Sequence, residues 1–282
     1  MKDNKKLWIL VPFYAFIFVF VLLPLLYMFL LSFREQDGIW AMSNTFSFQN
    51  YIDILNPVYL ETFQQSFKLA FATLFFVCLI GYPFGYFTAR LKDRKKKIVI
   101  FLLILPFWIN SLIRLFGWMT FFRTGGVLDK ILMGLGIIEE SLRLSYTYPV
   151  VVLGMVYMLL PFMVMSIYSS VDKMDWTLVD AAKDLGASKW TAFWTITFRA
   201  TLPGLFIGMI LTFVPSMGLF YIADILGGNK VVLVGNVIQD QLLRVHNWPF
   251  AAALSVVLMV LTILMLLLYK KLFGKRLVNY EK

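Results

Sequence analysis

Six long apolar runs alternate with short polar ones, approximately Leu7 to Phe33, Phe63 to Ala89, Ile98 to Phe122, Tyr148 to Tyr168, Leu202 to Ala223 and Phe250 to Phe273. A hydrocarbon core about 30 Å thick takes roughly 20 helical residues to cross, so each run predicts one membrane-spanning helix. The expected fold is an all-α integral membrane protein with six transmembrane helices. The first run is too long for a signal-peptide core and no small-residue cleavage site follows it, which predicts an uncleaved span.

Between the fourth and fifth runs lies the most structured polar insert, Val171 to Pro203. Asp175 suits the start of a helix over Trp176 to Leu185, because a carboxylate accepts from free amides of the first turn. Gly186 predicts its left-handed end. Leu178, Ala182 and Leu185 share one face at helical spacing, with Asp180, Lys183 and Asp184 making the other polar. Ser188 can cap a second helix, whose Trp190, Phe193 and Trp194 lead to Leu202 and Pro203 and back into the bilayer. The alternate loops, Arg34 to Thr62, Arg123 to Thr147 and Asp224 to Pro249, mix turn formers with amphipathic pieces, which predicts short interfacial helices.

Charge orients these spans. Of 26 Lys and Arg residues, 18 fall in the N-terminal tail, Arg90 to Lys97, the 171–203 insert and the segment from Lys270 onward. The positive-inside rule puts those four segments, and hence both termini, in the cytoplasm. The net charge of +10 sits in short inter-span segments rather than one basic and aromatic patch, which favours anionic lipid and excludes nucleic acid as a partner.

The chain is 60% hydrophobic, outside the range of soluble domains. Its single cysteine, Cys78, lies in an apolar run and supplies neither a disulfide framework nor a thiolate metal site. There is no G-x-x-x-x-G-K-[ST] phosphate loop, no H-E-x-x-H and no G-x-S-x-G, and the one histidine, His246, sits in an outer loop. No catalytic constellation is visible, so an enzyme is not expected.

Polar residues within the apolar runs are few, and each is costly unless it faces a bundle interior or a water-filled path. In P-F-W-I-N-S-L-I-R, Trp108, Asn110 and Arg114 lie in the third run, with Asn110 and Arg114 four apart on one helical face. Arg114 either snorkels, pairs with an acid or meets substrate. Tyr157 and Tyr168 suit the core of the fourth span. Met217, Phe220, Tyr221 and Asp224 form a stripe at the outer end of the fifth, where two rings and a carboxylate either gate a cation path or anchor the interface, with Asp224 solvated or paired with Arg114 or Lys230. Gly81 with Gly85, and Gly204 with Gly208, suit either close helix approach or flexing beside Pro83 and Pro203. Pro106, Pro161 and Pro215 are expected to interrupt the third, fourth and fifth spans.

The run D-A-A-K-D-L-G-A-S resembles the EAA loop of ATP-binding-cassette importer permeases, matching at Ala181, Ala182 and Gly186, with Asp180 where that family usually has glutamate. Further segments, L-P-F-W-I-N-S-L-I-R, L-L-P-F-M-V-M-S-I-Y-S-S, P-S-M-G-L-F-Y-I-A-D, L-V-G-N-V-I-Q and W-P-F-A-A-A, are similar to the B-type permeases of spermidine/putrescine importers over roughly residues 50 to 265. The resemblance implies an ABC type-1 permease fold with a cytoplasmic coupling helix. Its expected divisions are a tail, first helix and outer loop (1–62), a five-helix core (63–273) carrying the loop 171–203, and a basic tail (274–282). It implies coupling to an ATPase through Asp180, Ala181, Ala182, Asp184 and Gly186, with Trp108, Asn110, Phe220, Tyr221 and Asp224 on the substrate path or gate. It also implies a homologous second permease, two cytoplasmic ABC ATPase subunits that hold ATP and Mg, an external solute-binding protein, and residence in the bacterial inner membrane. No cofactor is expected in this chain. A permease for another small solute and a secondary transporter are the competing readings, the latter lacking a membrane-centred acid pair or a visible inverted repeat.

Overall fold

The computed structural model describes residues 11–38 and 41–277. The first residues of the predicted first span and the end of the basic tail lie outside that range. Contacts divide the chain into two compact units, one of residues before 62 with 234–265, the other of 62–233 with residues from 266 onward.

The first unit contains α1 (Val11–Leu31), whose side chains are unburied along its length. An antiparallel hairpin, β1 (Arg34–Asp37) and β2 (Ala41–Phe46), follows and adds two short strands to the expected helical architecture. Phe33 explains the hairpin's position: its ring stacks on Phe46 at 4.8 Å and meets Phe48 and Tyr51 edge-on or tilted. Asn50, on α2 (Gln49–Ile54), donates to the carbonyls of Ser32 at 3.0 Å and Arg34 at 2.8 Å. α11 (Val234–Leu243) and most of α12 (Trp248–Leu277) complete this unit.

The second unit is organised around α7 (Tyr148–Asp172). Val151, Met155, Leu159, Met163, Ile167 and Val171 recur every four residues along it, none more than 2% exposed. Glycines on its neighbours receive that ridge. On α3 (Pro57–Ala89), a Cβ at Gly81 would stand 2.7 Å from Met163 Cγ, and one at Gly85 2.8 Å from Ile167 Cβ. On α9 (Lys189–Gly218), a Cβ at Gly204 would stand 2.5 Å from Ser170 Cβ, and one at Gly208 2.5 Å from Met163 Sδ. Both G-x-x-x-G pairs therefore serve close helix approach rather than flexing.

Among the described residues, α1, α3, α7, α9 and the Trp248–Leu268 part of α12 are long and apolar enough to cross a membrane. The third predicted span is not one rod. α4 (Asp93–Ile104) passes into a 3-10 turn at Leu105–Trp108, and the chain restarts as α5 (Ser111–Phe122), the two arms bent by 94°. Pro106 and the extended backbone of Ile109 and Asn110 break the ladder, and the pair makes a sixth span only as a bent one. Pro161, by contrast, does not interrupt α7, which is continuous through it under packing from α3 and α9. The fifth span also differs from expectation. It starts at Lys189, passes a π turn at Phe193–Thr197, and ends at Gly218, after which α10 (Phe220–Gly227) begins separately. Leu219 (φ −81°, ψ 55°) makes the break. Short helices α2 and α6 (Val127–Gly134) occupy the 34–62 and 123–147 loops, where the patterning predicts short helices.

Gly204→Val should wedge α9 away from α7, with a cost of about 1–3 kcal/mol from overpacking. Gly117→Ala, where nothing lies within 4 Å, is the matched control. Thermal unfolding in detergent should show a clear drop in Tm for the first variant and none for the second.

Candidate functional site

The insert between α7 and α9 folds almost as its sequence dictates. α8 spans Thr177–Asp184, one residue shorter at each end than predicted. Asp175 Oδ1 accepts from the Thr177 amide at 3.0 Å and from its hydroxyl at 2.7 Å. Those two hydrogen bonds, the hydroxyl's first, hold the Asp175 carboxyl below its usual range. At the other end the Gly186 amide reaches the Lys183 carbonyl and the Ala187 amide reaches the Ala182 carbonyl, each at 2.9 Å. This Schellman closure needs the left-handed φ of +89° that Gly186 adopts. Ser188 Oγ then accepts from the Thr191 amide at 3.1 Å and starts the next helix.

The apolar face read from the sequence is largely uncovered. Val179 is its buried anchor and Ala182 is half-buried, while Leu178 (56%) and Leu185 (89%) are exposed. Ala181, Asp180 and Asp184 are exposed as well, with Lys183 Nζ 2.9 Å from Asp180 Oδ1. An apolar strip of Leu178, Ala181 and Leu185 rimmed by charge, on a loop between spans, has the composition of a docking surface.

The second group of predicted residues is distributed over separate elements. Trp108 ends the 3-10 turn, 74% exposed, with its ring edge-on to Phe101 at 5.9 Å. Asn110 does not share a helical face with Arg114. It is the N-cap of α5, its Oδ1 accepting from the Leu112 amide at 2.8 Å, because the break leaves free amides there. Among the described residues Arg114 forms no ion pair with an acid. Its guanidinium lies 4.7 Å from the Phe107 ring and 5.6 Å from Tyr157, with Nε and Nη1 buried and without a hydrogen-bond partner among the described residues. Met217 belongs to α9 and is buried, so it drops out of the outer stripe. Phe220, Tyr221 and Asp224 do lie together on the half-exposed side of α10, the two rings 6.4 Å apart. The opposite side, Ile222, Ala223 and Leu226, is buried, with Leu226 against Gly154 of α7.

A cavity of about 710 Å³ opens between the end of α4, α7 and α9. Phe107 and Phe162 form part of its wall, and Ser166, Ser169, Ser170 and Lys173 line it. The sequence reading marked the segment that holds the three serines but weighed only its tyrosines, although the spacing of the four polar residues, i, i+3, i+4 and i+7, is a single helical stripe.

Residues 81–277 match the model of the family described as the binding-protein-dependent transport system inner membrane component. The chain belongs to that family. The permease is 41% identical, over 99% of its length and 97% of the relative's, to the spermidine/putrescine transport system permease protein PotB of Salmonella typhimurium strain SL1344. It is 42% identical to the Escherichia coli K12 protein of the same name, over 93% of this chain and 94% of that one. A chain of the crystal structure of a bacterial alginate ABC transporter, in complex with an alginate pentasaccharide-bound periplasmic protein, superposes with a TM-score of 0.77. That superposition covers 97% of this permease and 96% of its counterpart at 15% identity, which shows the fold.

The α8 closure carries a direct expectation. Gly186→Asp places a side chain at left-handed geometry in otherwise open space, a strain of about 1–3 kcal/mol. Hydrogen exchange at the amides of residues 185–187 should accelerate several-fold, with the amides of α7 unchanged.

Proposed function

We propose that this chain is the permease subunit of an ATP-driven polyamine importer and forms half of its translocation path. The observation that carries this reading is identity above 40% with spermidine/putrescine permeases over nearly the whole length of both chains. A homologous second permease supplies the other half. Of two cytoplasmic ATPase subunits, which hold ATP and Mg themselves, one binds this chain's α8 through Asp180, Ala181, Ala182, Asp184 and Gly186, with the exposed Leu178 and Leu185 beside them. A solute-binding protein delivers the polyamine from outside. This chain's own part is non-catalytic.

The geometry suits a flexible polycation. Phe220 and Tyr221 present ring faces and edges, and Asp224 a carboxylate, on one half-exposed side of a short helix separated from its span by the Leu219 break. Ring faces attract ammonium groups, and a charge-assisted contact of about 1.5–3 kcal/mol guides a cation without trapping it. The serine hydroxyls of the large cavity replace part of an ammonium group's hydration further along. Trp108 and Asn110 belong to the same path, Asn110 by fixing the bend that shapes it. Both termini and α8 lie in the cytoplasm, on the side marked by 18 of the 26 basic residues.

The deciding experiment is uptake by the complex reconstituted in liposomes. Transport should require ATP and an added binding protein, and unlabelled spermidine or putrescine should compete where sugars and amino acids do not. Competition by a different solute class alone would replace the substrate assignment. Asp224→Asn keeps the side chain's size and removes its charge, and should lower uptake below saturation about tenfold, or ~1.4 kcal/mol, with assembly intact. For orientation, Lys95→Cys in a Cys78→Ala background should resist a membrane-impermeant thiol reagent in intact cells and react in inverted vesicles.

A further inference from the structure

The basic loop from Arg90 to Lys97 sets orientation by its charge, but two of its cations also make specific contacts. The Arg90 guanidinium, just past the end of α3, lies 4.9 Å from the Trp176 ring and 5.6 Å from Tyr86. Its Nη1 donates to Tyr86 Oη at 3.0 Å. Lys96, in the first turn of α4, bonds Asp172 Oδ1 at 2.6 Å and has its Nζ 5.9 Å from the Tyr168 ring centroid. Trp176 immediately precedes α8, and Asp172 is four residues before it. The two ends of the loop are thus attached to two points on the lead-in to the coupling helix.

A second set of contacts grips the far side of the insert. Tyr86 is edge-on to Phe193 at 5.7 Å and to Trp176 at 6.4 Å, so one ring touches residues before and after α8. One turn earlier, Tyr82 meets Phe193 at 6.3 Å and Phe198 at 5.7 Å, with its hydroxyl 2.9 Å from Thr201 Oγ1. Tyr82, Tyr86 and Arg90 stand four apart, one stripe at the cytoplasmic end of α3. The neighbouring Gly81 and Gly85 fix the same helix to α7. None of these residues belongs to the exposed strip of α8, so docking does not require them.

Resting on the importer reading, we infer that the Arg90–Trp176 stack and the Lys96–Asp172 pair are the joints that carry displacement of the coupling helix into α3 and α4. Arg90 and Lys96 are positioning residues. They touch neither nucleotide nor substrate, and they make the insert, the 33-residue α3 and the first arm of the bent span move together. A planar guanidinium held against two neighbouring aromatic rings and hydrogen-bonded to one of them resists shear in a way that a freely hydrated ammonium does not.

The test uses the whole complex in liposomes and reads polyamine moved per ATP hydrolysed, with co-purification of the ATPase as the measure of assembly. Arg90→Ala combined with Lys96→Gln should lower that ratio at least about fivefold, the low end of ordinary coupling strength, with the ATPase still bound. Arg90→Lys should recover only part of it, and exchanging the partners as Lys96→Asp with Asp172→Lys should restore the second joint. Lys95→Ala with Lys97→Ala removes the same charge from exposed positions and should leave the ratio unchanged. The inference is overturned if the Arg90 and Lys96 variants keep the wild-type ratio. It is equally overturned if the Lys95 and Lys97 control loses as much, or if uptake and hydrolysis fall in equal proportion without rescue by the exchanged pair. Absence of ATP-dependent uptake in the wild-type complex would instead remove the importer reading itself.

Discussion

The second unit depends on one geometric constraint, the fit of an unbroken four-residue ridge on α7 into glycine-lined grooves on α3 and α9. In lipid there is no hydrophobic gain when one apolar helix leaves hydrocarbon for another, so close van der Waals contact must supply the association. Gly81, Gly85, Gly204 and Gly208 let the backbones approach until hypothetical Cβ atoms would collide with Met163, Ile167 and Ser170. The grooves and the ridge share the four-residue repeat, which is the condition for ridges of one helix to enter the grooves of another. α10 extends the same surface, with Leu226 seated on Gly154. α9 and α10, which carry the cavity wall and the Phe220–Asp224 stripe, are both placed by contact with that one helix.

The consequence is a division between a rigid face and exposed ones. α7 buries its ridge on one side and turns Ser166, Ser169, Ser170 and Lys173 towards the cavity on another. α8 has a single buried anchor, Val179, and leaves most of its apolar surface uncovered. The outer stripe on α10 likewise faces away from the packed side. Such exposure costs little in a subunit whose partners cover it, and it marks where binding energy is available.

Local signals read from the sequence survive best where backbone chemistry has one solution. Gly186 and Ser188 each end or start a helix as expected, because left-handed φ and free amides admit few residues. The glycine pairs were visible, but choosing between close approach and flexing required seeing Met163 and Ile167 opposite them. Prolines were less legible. Pro106 breaks its span and Pro161 does not, since neighbours on α3 and α9 support one helix while Asn110 offers a competing cap to the other. The apolar face of Leu178 and Leu185 was legible from helical spacing, but that both stay exposed was not, because periodicity says which residues share a face and not what covers it. The two strands near Phe33 were missed because their stability comes from ring stacking across the turn rather than from alternation. The importer permease family was legible from the insert together with its place between spans, and the polyamine resemblance needed the further segments outside it.

The π turn at Phe193–Thr197 alters the phase between the polar insert and the span that follows it. Residues five apart on an α-helix point about 140° away from each other. Phe193 and Phe198 nevertheless both reach Tyr82, because the Phe198 amide bonds the Phe193 carbonyl and the wider turn brings them to one side. The extra residue acts like an offset tooth in a gear. Without it, Phe193 and Phe198 would be clocked to different sides, and Tyr82 could clasp only one of them.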